Sequence, residues 1–348
     1  MSRDSLDGSD WVRPDRPARC RWRVAEAVGV HGRSDGGTAH FSGLERCGSI
    51  WACPVCSAVI RAERAREIGL ALERAHDAGL GVLFTTVTLR HRRGDALAFS
   101  LDVVLAAWRK VTSWRPWKRL AARVGLEGVI RSTEVTYGAN GWHPHLHFAM
   151  VLARPLTEDE RSAFESELAA IWQRAVSSLG GRLPSRERGV KVLTADSATD
   201  GISDYVSKAQ EHVGKQRRSI AVELARGDLK AGRAGSVMPM ELLDDETGSL
   251  AVRDLWVEYV AATKGRRAFG WSRGLRDRLL PDVEDLDDEQ ILELAERGEL
   301  LGLIDGATWD RDYRSSPERM HETLCEAEEL SGEPGSVRVT DQGKGGRR

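Results

Sequence analysis

Three histidines stand two residues apart in GWHPHLHFAMVL (141–152). On a strand, alternate side chains share a face. His143, His145 and His147 then point one way, and Trp142, Leu146 and Phe148 point the other way, into a core. Imidazoles placed like this run parallel and can hold one metal ion. The segment 129–137 also reads as a strand, and the GANG between the two (138–141) is a hairpin turn signal. A four-residue loop there sets Tyr137 opposite Trp142 and Glu134 opposite His145, on one sheet face. A slip of one residue would set that carboxylate opposite Leu146, against the burial pattern. Two imidazoles and a carboxylate suit a divalent cation with positions left open to water or phosphate. A solvated strand face carrying the same histidines is the alternative.

Two further clusters have chemical spacing. DGISDYVSKAQEH (200–212) places Tyr205 and Lys208 on one helical face, with His212 nearby. A phenol with a pKa of about 10 is a poor nucleophile. It can attack a phosphodiester when a metal polarises the phosphate and a cation such as Lys208 stabilises the charge. A structural tyrosine with its hydroxyl hydrogen-bonded is the competing possibility. The five cysteines are Cys20, Cys47, Cys53, Cys56 and Cys325. The spacing Cys47-x5-Cys53-x2-Cys56, with Pro54 after the middle thiol, points to metal before disulfide in a reducing compartment. Structural Zn²⁺ takes four ligands. Cys20 is the expected fourth, with His31 or His40 as substitutes, and Cys325 is an unrelated thiol. Packed thiols without metal are the alternative.

Positioning these groups takes a sizeable scaffold. The chain has 348 residues, 41% hydrophobic and 30% charged, which fits a folded protein and excludes a disordered one. The pattern predicts a helix over about 57–78, a strand over 82–89 and helix over 96–124 broken at Pro116. It further predicts a helix over 157–179 opened by a Thr157/Glu160 capping box, a strand over about 189–194 and helices over about 200–212 and 250–263. This order suggests an α+β fold, a central antiparallel sheet with flanking helices, preceded by an N-terminal zinc-binding segment. Residues 1–46 read as a poorly regular lead-in, 282–302 as an amphipathic helix and the last 18 residues as disordered. The expected divisions are 1–80, a cysteine-rich zinc-binding segment and helix; 81–215, a catalytic domain; 216–281, a basic region; and 282–348, an acidic segment with its tail.

Charge is unevenly spread. Residues 282–330 hold 17 acids against 4 bases, whereas 1–281 hold 43 bases against 34 acids. A basic body points to a polyanionic partner. WRKVTSWRPWKR (108–119) and KGRRAFGWSRGLRDR (264–278) interleave aromatics with cations, as phosphate contact and base stacking require. Arg266, Arg267, Trp271, Arg273 and Arg276 are the candidate DNA contacts. There is no G-x-x-x-x-G-K-[ST]. No apolar run approaches the roughly 20 residues that span a bilayer, and MSRDSLDGSDWVRP lacks the apolar core of a signal peptide. The expected location is the cytoplasm, with no membrane partner.

Four stretches together resemble the rolling-circle plasmid replication initiators of the HUH endonuclease superfamily, of the Gram-positive and actinobacterial plasmid type. They are FTTVTLRH (84–91), PHLHF (144–148), DYVSK (204–208) and CGSIWACPVC (47–56). GRRAFGWSRGLR (265–276) is similar to a recurrent C-terminal segment of the actinobacterial members. The resemblance implies an HUH endonuclease-like fold and a metal-dependent enzyme that nicks one strand of plasmid origin DNA, single-stranded or in an extruded hairpin. Tyr205 would become linked to the 5′-phosphate and free a 3′-OH primer. Mg²⁺ or Mn²⁺ would sit on His145, His147 and Glu134, with His143 beside the ligands. A host helicase and polymerase would complete replication. Some relatives carry a water-activating Glu four residues before the tyrosine; here that position is Gly201, and Asp200 and Asp204 stand off it. A single-tyrosine transposase or mobilisation relaxase on the same fold, a non-catalytic zinc-binding DNA-recognition protein, and a zinc hydrolase built on His143, His145 and His147 are the competing readings.

Overall fold

The β-branched and aromatic runs of the middle of the chain form one antiparallel sheet. In the computed structural model, residues 19–32, 39–194, 236–244, 249–314 and 316–331 are described. The strands are β1 (Ala27–Gly32), β2 (His40–Ser42), β3 (Gly81–Thr88), β4 (Leu126–Gly138), β5 (Gly141–Leu152), β6 (Val190–Thr194), β7 (Phe269–Trp271) and β8 (Glu299–Asp305). The main helices before residue 180 are α1 (Pro54–Asp77), α2 (Leu97–Ser113), α3 (Arg115–Arg123) and α4 (Glu158–Ser177). The described residues of Ile50–Pro54 and Ile60–Asp285 form one unit, and those of Met1–Ser49, Val55–Val59 and Leu286–Arg348 form the other.

The first unit is built on a five-stranded sheet in the order β6-β3-β5-β4-β7, with every pairing antiparallel. β5 is its central strand and is buried along almost its whole length. One sheet face carries Leu146, Phe148, Met150 and Leu152 and packs on α2, α3 and α4 through Trp108, Trp117, Phe164, Leu168 and Trp172. The other carries Phe84, Ile130, Ala149 and Val151 against Ile68, Ala71, Leu72 and Ala75 of α1. Each fully buried large apolar side chain contributes about 1.5–3 kcal/mol, so the sheet holds its register from both sides. The Trp172 indole donates to the Thr88 carbonyl at 2.6 Å, which satisfies a polar group that would otherwise be buried unpaired.

The local signals explain the element ends. The Thr157 hydroxyl accepts from the Glu160 N–H, and the Glu160 carboxylate accepts from the Thr157 N–H, closing the expected capping box of α4. The break in 96–124 falls at Trp114, whose backbone is extended (ψ 144°). It lies two residues before Pro116 because proline is tolerated in the first turn of the following helix, where its missing N–H costs nothing.

The second unit departs from expectation. The lead-in is not irregular throughout: β1 pairs with β2 and with β8 in a three-stranded antiparallel sheet. The acidic stretch is not one helix either. Helix Asp288–Ala295 stops, and β8 follows. Gly298 allows this turn, because a Cβ there would stand 2.2 Å from the Gly32 carbonyl oxygen. Val28, Val30, Phe41, Trp309 and Met320 form the core of this unit. The acidic residues from 286 therefore share a unit with the N-terminal strands. Among the described residues, no helix is long and apolar enough to cross a membrane.

Candidate metal centre

The β4–β5 hairpin decides which side chains meet. Gly138 pairs with Gly141, Tyr137 with Trp142, Thr136 with His143 and Glu134 with His145. This is the register that the alternation of 142–148 requires. On the other side of β5, Thr86 lies opposite His147 and Thr88 opposite His145. Paired residues share a face, so Glu134, His143, His145, His147, Thr86 and Thr88 all project from the same side.

Ligand atoms of Glu134, His145 and His147 lie within 4.8 Å of one another. His145 Nε2 stands 3.1 Å from one Glu134 carboxylate oxygen, and His147 Nε2 stands 3.5 Å from the other. Both imidazoles are buried, at 8% and 6% exposure. Two ligands at right angles on an octahedral ion, each about 2.1 Å from it, are about 3 Å apart, so the separations suit a shared cation. Tautomers support the same conclusion. His145 Nδ1 is 3.2 Å from the His143 carbonyl oxygen, which can only accept. That nitrogen therefore carries a proton, which leaves Nε2 as the ring atom that faces the Glu134 carboxylate. His147 Nδ1 is 2.9 Å from the Thr86 hydroxyl, which leaves its Nε2 as the ligand atom. Such contacts fix a ligating imidazole's tautomer and orientation. The donor set fits a divalent metal ion.

His143 is built differently. Its Nε2 is 2.5 Å from the Thr88 hydroxyl, and its ring stacks on His91 at 4.5 Å. Burial, then the neighbouring His145 and His91 charges, push its pKa down to about 3. Burial likewise lowers the pKa of His91. Both rings are neutral near pH 7, and His143 flanks the ligand set instead of joining it. His91, Thr86, Thr88 and Phe84, which stacks on His147 at 5.3 Å, are site residues that the motif FTTVTLRH did not reveal individually. Their signal is its alternation: Phe84, Thr86 and Thr88 fall on one face.

The cysteine group is also assembled. Sulfurs of Cys20, Cys47, Cys53 and Cys56 lie within 4.8 Å of one another. The Cys20–Cys56 and Cys47–Cys56 sulfurs are 3.6 and 3.8 Å apart. Corners of a tetrahedron around Zn²⁺ with bonds of about 2.3 Å are about 3.8 Å apart. Cys56 lies in the first turn of α1, where the helix dipole favours a thiolate, and the Ser49 N–H donates to the Cys47 sulfur at 3.4 Å. Cys20 is the fourth member, as the spacing suggested. His31 and His40 instead stack on each other at 5.0 Å. Cys325 is exposed and outside the group. These four residues could hold zinc.

Tyr205 and Lys208 lie outside the described residues. The basic run separates by burial. Arg267 and Arg273 are exposed, and Trp271 is partly buried against the core of the α1 face. The Arg266 guanidinium pairs with Asp102 at 2.9 Å. Arg276 corrects the expectation of a DNA contact. It is 8% exposed, pairs with Glu67 at 2.5 Å and donates to the Val283 and Glu284 carbonyls. Its guanidinium ties the turn Leu275–Leu279 and the chain after it to α1. Among the described residues, Arg276→Met leaves the 4%-exposed Glu67 side chain Arg64 alone as an ion-pair partner. The expected cost is about 3 kcal/mol in urea unfolding, with DNA affinity retained under folding conditions.

Comparison with known proteins completes the picture. Residues 45–179 match a family model described as "Replication protein". The chain is 35% identical over an alignment of 316 residues to "Protein rep" of Streptomyces lividans, which covers 73% of this chain and 68% of that protein. It is 33% identical over 157 residues to "Neomycin resistance protein" of Streptomyces cyanogenus, covering 38% of this chain and 36% of that one. No solved structure matches.

Proposed function

The chain belongs to the replication protein family, and from that premise we propose that it is a plasmid replication initiator of the rolling-circle, HUH endonuclease type. In this reading it nicks and rejoins one strand of origin DNA in the cytoplasm. The observation that carries the reading is the convergence of Glu134, His145 and His147, inside the matched segment.

The roles follow from the donor set. Glu134, His145 and His147 would hold Mg²⁺ or Mn²⁺, which when bound draws charge from a phosphate oxygen and so makes phosphorus more electrophilic. Thr86 and the His143 carbonyl keep the two imidazoles aimed. Tyr205 is the nucleophile. Its phenol oxygen bonds to phosphorus, the bond from phosphorus to the 3′-oxygen breaks, and the proton lost by the phenol balances the one gained by the new 3′-OH. One phosphodiester replaces another, so the nick can be resealed without ATP. Lys208 stabilises the phenolate. Cys20, Cys47, Cys53 and Cys56 would hold a structural Zn²⁺, and Arg267 and Arg273 would contact the DNA. The chain holds no P-loop motif, so unwinding and extension fall to a host helicase and polymerase.

The test is incubation of the protein with supercoiled origin plasmid and Mn²⁺, followed by denaturing separation of any covalent adduct. Wild type is expected to form the adduct. Tyr205→Phe is expected to lose it while binding origin DNA as before. An adduct that persists in Tyr205→Phe contradicts the reading.

A further inference from the structure

Many arginines of the sheet-bearing unit are paired with acids: Arg266 with Asp102, Arg278 with Glu127, Arg123 with Glu167, Arg276 with Glu67. Arg109, Arg131 and Arg267 depart from that habit, and among the described residues no carboxylate pairs with them. They come from three separate elements. Arg131 is on β4, opposite Phe148 of β5 and Gly270 of β7. Its guanidinium lies over the Gly270 backbone, with Nη2 3.5 Å from where a Cβ at that position would be. Arg267 enters from the segment just before β7. Arg109 follows Trp108 on α2, and the Trp108 ring lies 4.1 Å from that of Phe148. Arg109 and Arg267 are exposed and Arg131 is half-buried. Burial, then the charges of Arg109 and Arg267, hold the Arg131 pKa below its ordinary value.

Gathering like charges around a partly desolvated guanidinium is unfavourable unless an anion joins them. Guanidinium groups match phosphate oxygens with paired hydrogen bonds. We propose that Arg109, Arg131 and Arg267 form a phosphate-binding site that takes a backbone phosphate of a nucleic acid strand. Arg131 is an odd-numbered β4 residue and Glu134 an even-numbered one, so this site lies on the sheet face opposite the metal centre. β7 is the edge strand next to β4, and β6 is the other edge, so the shortest route from this site to the other face runs around β7, where Arg273 is also exposed. The site rests on the nucleic-acid partner of the proposed function but not on nicking.

The experiment is fluorescence anisotropy of a labelled single-stranded oligonucleotide, with Mg²⁺ and Mn²⁺ omitted, across a salt series. Each phosphate contact on a single strand adds about 0.7 to the slope of log affinity against log salt. Arg109→Ala/Arg267→Ala replaces only exposed side chains. It is expected to weaken binding at least tenfold at about 50 mM salt and to lower the slope by about 0.7, the loss of one phosphate contact. Arg131→Gln is expected to act in the same direction. Arg123→Ala, which removes a cation elsewhere, is expected to leave the slope unchanged. Unchanged affinity and slope in the double variant overturn the proposal. Free inorganic phosphate is the other source of the same chemistry. If it raises the melting temperature of wild type but not of the double variant while oligonucleotide binding is equal in both, the nucleic-acid assignment is overturned. Dependence on these arginines alongside a failed Tyr205→Phe test sinks only the nicking reading.

Discussion

His147→Gln reduces Mn²⁺-dependent nicking of origin DNA by about 10³-fold, equivalent to about 4 kcal/mol of barrier. The amide keeps most of the ring's volume and can still meet the Thr86 hydroxyl, which stands 2.9 Å from the ring, so the sheet is expected to stay folded. What it loses is a ligand atom 3.5 Å from the Glu134 carboxylate. Oligonucleotide affinity without divalent metal is expected to be unchanged, because the ligand set is not used to hold the backbone. The check is initial nicking rate at saturating Mn²⁺ beside anisotropy of the same preparation. A rate within threefold of wild type would remove His147 from the chemistry.

Cys56→Ser is expected to have the largest effect on stability. Structural zinc in small sites contributes about 10–16 kcal/mol of apparent binding free energy, much of it as folding free energy. Cys56 is 1% exposed, and its sulfur is the one that lies 3.6 Å from Cys20 and 3.8 Å from Cys47. Serine leaves three thiolates and an incomplete tetrahedron. Zinc content of the purified protein is expected to fall to near zero, and the melting temperature by more than about 10 °C. A strong chelator added to wild type is expected to reproduce that shift. Purified wild type that contains no zinc and whose melting temperature the chelator leaves unchanged would show four packed thiols and no metal.

The parts of this molecule that are legible in sequence are those set by short-range rules. The hairpin register followed from GANG and from the two-residue alternation of 142–148, and it alone brings Glu134 opposite His145. The capping box at Thr157 marked the start of α4 for the same reason. Elements that depend on distant partners were not legible. β1 and β8 exist because residues 27–32 pair with residues 299–305, and nothing local in either segment announces the other. Burial of charge is similarly hidden. Arg273 and Arg276 stand three apart in one basic run, yet the first is exposed and the second closes on Glu67. Only the fold separates an arginine that meets solvent from one that holds two segments together. Arg131, whose guanidinium is one of the three proposed to share a phosphate, gave no sequence signal, because its neighbours Arg109 and Arg267 come from other parts of the chain.

Glu134, His145 and His147 are expected to grip a divalent cation. Electron paramagnetic resonance of Mn²⁺ added to the zinc-loaded protein tests it without any DNA. The expected result is a single tight site whose spectrum shows coupling to imidazole nitrogen and which disappears in both His145→Gln and His147→Gln. Mn²⁺ binding of the same stoichiometry in both variants, or a bound ion with no nitrogen coupling, would contradict the account.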